Sequence, residues 1–324
     1  MGSSGPALQQ VWTRAELCAA ELGRAAHWTT PSLRERVTRA LRWAALRATS
    51  AREPAAEALA ALDTLIVVGG GALIDRAKLL RWPRWPRLRL IAVPSIWGSG
   101  AESSPVAVAD TPAGKAITVD PGLRPEIRVR WPELLEGVPE RRLRQGSGDA
   151  WAHALEGFLS PLARPELCAE LAALMRRMLD VGLGRDPEWL ELSATASAGP
   201  ACAGVGLVHG IAHVLESAGA TDEAGAPLGH AALCATWLWP VLRFDEQATA
   251  KVEQRMLEHA VDLGAVRATA RALCDEALCA RLLPLLRQHW PAVLRERCTR
   301  TNGALVRPST LDALVEILAA GGGA

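Results

Sequence analysis

Leu65-Ile66-Val67-Val68 is an unbroken apolar run that ends on Gly69-Gly70-Gly71 and passes at once into Ala72-Leu73-Ile74-Asp75-Arg76-Ala77-Lys78. A strand without polar alternation is covered on both faces, the usual state of strands in a parallel sheet flanked by helices. Further strands are expected at residues 25–30, 88–93 and 127–131, alternating with helical stretches. Residues 106–109 and 116–119 flank Asp110-Thr111-Pro112-Ala113-Gly114 and read as a hairpin. Beyond about residue 135 the periodicity is helical, for example over 165–180, 248–262 and 265–287. The expectation is an α/β domain over residues 1–134 and an all-helical domain over 135–324, with a small-molecule site between them.

Composition removes several function classes. The 36 Lys+Arg and 35 Asp+Glu nearly cancel, which argues against a nucleic-acid or membrane-surface partner. There is no tyrosine, so any mechanism that uses a tyrosine phenol as general acid is excluded. Proton handling falls to histidine, carboxylate, thiol or water. The seven cysteines form no CxxC and read as reduced thiols in a cytoplasmic protein, each a small buried hydrophobe. Residues 1–10 lack the basic and apolar segments of a signal peptide, and residues 321–324 read as frayed. Residues 192–215 carry no Asp, Glu, Lys or Arg, but Pro200, His209, His213 and many small residues suit a buried helix better than a lipid-facing one.

The glycine turn and the following helix start can hold a phosphate, because glycine admits close backbone approach and a helix N-terminus offers free N–H groups. A tight turn without ligand is the alternative. A second small-residue turn, Pro94-Ser95-Ile96-Trp97-Gly98-Ser99-Gly100, follows the next strand. In a parallel sheet both turns leave the C-terminal ends of strands, where ligands bind, so together they suggest a dinucleotide site.

Asp149 and His153 are four residues apart in a helical pattern and share a face, as are His209 and His213; His230 follows Gly229. A carboxylate with three imidazoles suits Zn2+ or Fe2+. A helix cap at Asp149, a packed His153 and a loop His230 are the plain alternatives. Two histidines in an uncharged helix are harder to explain by packing, because burying unpaired imidazole is costly. His27, His259 and His289 have no such company.

The order GGG-x-x-x-D-x-A-K, P-x-x-x-G-x-G-x-E, D-x-x-x-H-A-x-E, H-G-x-x-H and a later G-H resembles the iron-containing (group III) alcohol dehydrogenases, within the dehydroquinate-synthase-like fold. The resemblance runs from about residue 25 to the end, including the tail Asn302 to Pro308. It implies an α/β N-terminal Rossmann-like nucleotide-binding domain, shortened at its N-terminus, plus an all-α C-terminal metal-binding domain. It implies NAD or NADP on Gly69, Gly70, Gly71, Asp75 and Lys78, with Ser95, Ser99 and Lys115 lining the cofactor. It implies one divalent metal, Fe2+ or Zn2+, on Asp149, His153, His209 and His230, with His213 as the catalytic proton-relay histidine. Ala72, Ile96 and Ala101 replace a Ser, a Thr and a Ser of the family pattern, which removes hydroxyl contacts. No acidic residue follows 25–30 to meet the adenosine ribose.

The function implied is metal-dependent, NAD(P)-linked interconversion of an alcohol and an aldehyde or ketone by a cytoplasmic homodimer. Its substrate would be a small-molecule or modified-peptide alcohol or carbonyl compound, and the divergence of the chain suggests a specialised biosynthetic pathway. A metal-free maleylacetate-reductase-like enzyme and a non-catalytic partner protein are the alternatives. No nucleic acid or membrane is expected as a partner.

Overall fold

The structure is a computed structural model, and it describes residues 9–41, 49–50, 53–111 and 114–321. Of the segments read above, residues 1–8, the hairpin-turn residues Pro112 and Ala113, and residues 322–324 lie outside the described residues. The chain divides into two compact units, Met1–Thr111 with Ala116–Gly137, and Pro112–Lys115 with Val138–Ala324.

The first unit contains β1 (Gln10–Thr13), α1 (Arg14–Ala19), β2 (Ala25–Thr29), α2 (Arg34–Leu41), β3 (Thr49–Ser50), α3 (Ala56–Ala60), β4 (Thr64–Gly69), α4 (Gly71–Arg81), β5 (Arg89–Pro94), β6 (Val106–Thr111), β7 (Gly114–Val119) and β8 (Ile127–Arg130). Six strands form a parallel sheet in the order β1-β8-β5-β4-β2-β3, while β6 and β7 pair separately. The apolar run of β4 lies at its centre, in register with β5 from Thr64 opposite Arg89 to Gly69 opposite Pro94. Alternate residues enter opposite cores. Ile66, Val68, Ile91 and Val93 pack with Leu17 of α1 and Val37 of α2. Leu65, Val67, Leu90 and Ala92 pack with Leu59 of α3 and Ile74 and Ala77 of α4. Burial on both faces is what the missing polar alternation required.

The expected strands are present with ends shifted by one or two residues. The edge strand β1 was not anticipated: Gln10-Val11-Trp12-Thr13 is short and mostly exposed, so it carries little hydrophobic pattern. Its end is marked better, because Thr13 and Glu16 form a capping box for α1.

The second unit contains α5 (Glu140–Leu159), α6 (Pro165–Val181), α7 (Trp189–Ala196), α8 (Ala198–Ala203), α9 (Leu207–Ser217), α10 (His230–Ala248), α11 (Lys251–Glu258), α12 (Leu263–Leu273), α13 (Glu276–Arg295) and α14 (Thr310–Gly321). From Gly146 to Leu159 every residue of α5 is buried. Glycine makes this possible at two places. A Cβ on Gly148 would stand 2.7 Å from the Ala235 Cα of α10, and one on Gly157 would stand 2.6 Å from the Gly199 Cα of α8.

The single buried helix expected over 192–215 is not formed. The segment is divided among α7, α8 and α9, with a bend of 97° between Trp189–Ala203 and Leu207–Ser217. Gly204 adopts φ +73°, which ends α8. Gly206 leaves room for the Asn302 and Glu156 side chains, which a Cβ would meet at 2.6 and 2.9 Å. Among the described residues, no single helix is long and apolar enough to cross a membrane. The periodic stretch 265–287 is likewise interrupted, at Cys274-Asp275, where Asp275 accepts from the Leu278 N–H and starts α13.

Candidate metal centre

Asp149, His153 and Glu156 occupy successive turns of α5 on one face. Asp149 Oδ1 is a hub. His209 Nε2 of α9 stands 3.6 Å away, and His153 Nε2 and His230 Nε2, the latter at the start of α10, each stand 3.8 Å away. Asp149 and His209 are each 2% exposed, yet Asp149 Oδ1 and His209 Nε2 have no partner at hydrogen-bond distance. Such buried polar atoms call for a further group, because leaving them unsatisfied costs about 1–3 kcal/mol each. Donors on a tetrahedral ion with bonds of about 2.1 Å stand about 3.4 Å apart, close to the spacing seen here. The residues therefore fit a divalent cation. The helix-cap, packing and loop alternatives for the same residues do not explain this convergence.

The electrostatics agree. Burial would raise the Asp149 carboxyl, but His153, His230 and His209 pull it below the usual carboxylate range. Burial would lower the His209 imidazole, but Cys234, Glu156 and Asp149 raise it well above its ordinary value. His230 behaves similarly: burial opposes protonation, and Cys234, Glu216 and Asp149 push it up to about 10. The pocket thus draws positive charge, as protons or as a cation.

The N-terminus of α9 explains how His209 is held. Its cap residue Gly206 has no side chain to satisfy the free N–H groups. Glu156 Oε1 accepts instead from Val208 N at 2.6 Å, and Asn302 Oδ1 accepts from Leu207 N at 2.9 Å. The other Glu156 oxygen meets His209 Nδ1 at 2.6 Å. With Nδ1 donating there, the Nε2 lone pair is directed at the Asp149 hub. Glu156 stood in the D-x-x-x-H-A-x-E pattern without an assigned role. Glu156→Gln is expected to lower metal affinity by about 10- to 100-fold, measured by competition with a chelator.

His213 is one turn beyond His209. Its ring stacks on His230 at 5.1 Å, and its Nδ1 faces Cys298 Sγ at 3.7 Å and Glu296 Oε1 at 3.9 Å. Burial lowers its pKa, and nearby His230 and His209 lower it further against the opposing effect of Glu296. His213 is therefore suited to remain neutral beside charged neighbours. Sequence reasoning also missed Cys234, read only as a small buried hydrophobe. It is fully buried on α10, with Sγ 3.5 Å from His230 Nε2. His230 and Cys234 are four residues apart, the same spacing that singled out the other histidine pairs.

In the first unit, β4 ends at Gly69 and Gly70 caps α4. Ser95 N donates to Gly69 O at 3.0 Å, bringing the second turn beside the first. A Cβ on Gly71 would lie 2.2 Å from Ser99 Oγ, so these residues are in close contact. Gly69, Gly70, Gly71, Ser95 and Ser99 thus gather at the ends of β4 and β5. Asp75 and Lys78 lie further along α4. Lys78 Nζ is buried and donates to Asp75 Oδ1 at 2.9 Å and Val106 O at 2.8 Å, while Asp75 Oδ2 accepts from Val108 N at 3.1 Å. These bonds tie α4 to β6. Lys115 pairs with Glu216 Oε2 at 3.2 Å, and that oxygen also lies 3.6 Å from His230 Nδ1.

No protein-family profile matches the chain. Among solved structures, it is similar to the iron-containing alcohol dehydrogenase of Corynebacterium glutamicum, with TM-score 0.75 and 21% identity over 98% of this chain and 95% of that one. It is equally similar in fold to maleylacetate reductase of Agrobacterium tumefaciens, with TM-score 0.75 and 18% identity over 98% of each chain. The fold is therefore the one these two groups of enzymes share. Among curated proteins, the chain is 33% identical over 181 residues to the probable alcohol dehydrogenase EutG of Salmonella typhimurium, covering 48% of this chain and 46% of that protein. It is 33% identical over 120 residues to 4-hydroxybutyrate dehydrogenase of Clostridium kluyveri, covering 32% of each. The chain spans about half the length of the EutG relative it matches. The chain thus has the fold of the iron-containing alcohol dehydrogenases and maleylacetate reductases, and over about half of its length its sequence is similar to that of EutG.

Proposed function

We propose that the protein is a metal-dependent, NAD(P)-linked oxidoreductase that interconverts an alcohol with an aldehyde or ketone. The observation that carries this reading is the convergence of His153, His209 and His230 on the partnerless Asp149 Oδ1. When bound, a divalent cation supplies Lewis acidity at the substrate oxygen and a nicotinamide supplies or accepts the hydride. Asp149, His153, His209 and His230 would hold the cation. Glu156 fixes the His209 ring, and His213, neutral through burial, takes or returns the substrate proton at an imidazole nitrogen. Cys298 and Glu296 keep His213 Nδ1 in place.

Gly69, Gly70, Gly71, Ser95 and Ser99 would hold NAD or NADP, with Asp75 and Lys78 bracing α4 behind them and Lys115 acting through Glu216. Gly70 supports the phosphate role. Its φ of −78° and ψ of 176° suit any residue, and an added Cβ would meet nothing nearer than Ile96 at 3.8 Å. The fold does not itself require glycine there, whereas a phosphate at the α4 N-terminus would. Gly70→Ala is expected to leave the unfolding temperature near that of the wild type and to weaken NAD(H) binding about tenfold in a fluorescence titration.

The EutG and 4-hydroxybutyrate dehydrogenase relatives favour small alcohol or aldehyde substrates, and a modified-peptide carbonyl belongs to the same chemical class. A cytoplasmic homodimer is part of the proposal; all seven cysteines are unbridged, which suits a reducing compartment. The test is nucleotide turnover by purified protein reconstituted with Zn2+ or Fe2+, using a panel of alcohols and aldehydes with NAD(H) and NADP(H). Metal-dependent turnover supports the reading. Equal turnover before and after complete metal removal would instead favour a maleylacetate-reductase-like reaction.

A further inference from the structure

We propose that Cys234 is a ligand of the bound cation, giving an Asp149, His209, His230 and Cys234 donor set that favours Zn2+ over Fe2+. The inference rests on the metal reading above and departs from it in one ligand, Cys234 standing in the donor set where that reading has His153. One ligand atom from each of these four residues lies within 4.8 Å of every other. Cys234 is fully buried, and Asp149 Oδ1 and His209 Nε2 in the same cluster are buried without hydrogen-bond partners.

Helical geometry supplies the sulfur. His230 begins α10, and Cys234 follows one turn later on the same face. Its Sγ therefore reaches His230 Nε2 at 3.5 Å, the same nitrogen that faces Asp149. His153 lies differently: its ring stacks on His209 with centroids 4.5 Å apart. It remains beside the hub, while Cys234 completes the closer set.

Charge and ligand softness point the same way. One carboxylate and one thiolate balance a dication, so a buried centre of this composition is neutral, which lowers its desolvation cost. Thiolate suits borderline-soft Zn2+ better than Fe2+. Binding forms a metal–sulfur bond, breaks the Cys234 S–H bond and releases that proton to solvent, with no change in oxidation state.

X-ray absorption of the Zn2+-loaded protein tests the assignment directly. The expected result is a sulfur shell at about 2.3 Å in the wild type, retained in His153→Ala and lost in Cys234→Ser. Co2+ loading should give a thiolate-to-metal charge-transfer band that Cys234→Ser also lacks. A bound ion with only nitrogen and oxygen neighbours in the wild type overturns the Cys234 assignment and leaves the metal reading intact. Failure of the wild type to bind either ion overturns both. The wild-type spectra decide the matter even if Cys234→Ser does not fold.

Discussion

Asp149→Asn should abolish binding of the proposed metal and lower the proposed turnover by about three orders of magnitude. The substitution keeps the shape of the side chain and removes the charge at the point where three imidazoles converge. A Lewis acid contributes several kcal/mol to stabilising charge at a reacting oxygen, and each 1.36 kcal/mol is a factor of ten in rate. Metal content per chain should fall from about one to near zero by elemental analysis. The raised pKa values of His209 and His230 add a pH dependence. Protons compete with the cation for these rings, so wild-type metal affinity should fall as pH is lowered. A fully metallated and active Asp149→Asn protein would place the centre elsewhere.

Asp245→Asn should stabilise the protein by about 4 kcal/mol at pH 8, with little effect at pH 4. Asp245 is buried on α10 and accepts from Asn302 Nδ2 at 2.6 Å. Burial raises its pKa to about 7, Asn302 opposes the shift, and the nearby Glu156 adds to it. The unfolded chain ionises this group near pH 4, whereas the folded chain retains the proton until about pH 7. Folded protein binds more protons across that window, so wild-type stability falls as pH rises through it and levels off above about pH 7. A shift of about three pKa units corresponds to about 4 kcal/mol. Asparagine retains an oxygen for Asn302 and cannot ionise. Urea unfolding at both pH values measures the difference; a variant less stable than wild type at pH 8 would show that ionised Asp245 is favourable.

The features legible in the sequence were those with short-range patterns. The apolar run at residues 65–68 gave the buried parallel strand, because covering both faces removes alternation. The four-residue spacings brought Asp149 and His153 to one face of α5, and His209 and His213 to one face of α9. The break before α9 was not legible, because its N–H groups are satisfied by Glu156 and Asn302, which lie 52 and 95 residues away in sequence. The resemblance implied Lys78 as a cofactor contact, while the structure shows its bonds to Asp75 and Val106, a pairing that depends on where β6 lies. Cys234 carried the right spacing from His230, but an assumption that every cysteine was simple packing concealed it.

The three helices that meet at Asp149 have a consequence for the lifetime of the protein. Donors from α5, α9 and α10 are brought together only in the folded chain, so an ion held there stabilises that state in proportion to the logarithm of its free concentration. Ion supply would then control how often the helical unit opens to proteases. Cells deprived of the ion should clear the chain faster, so its abundance would follow metal nutrition even with synthesis held constant.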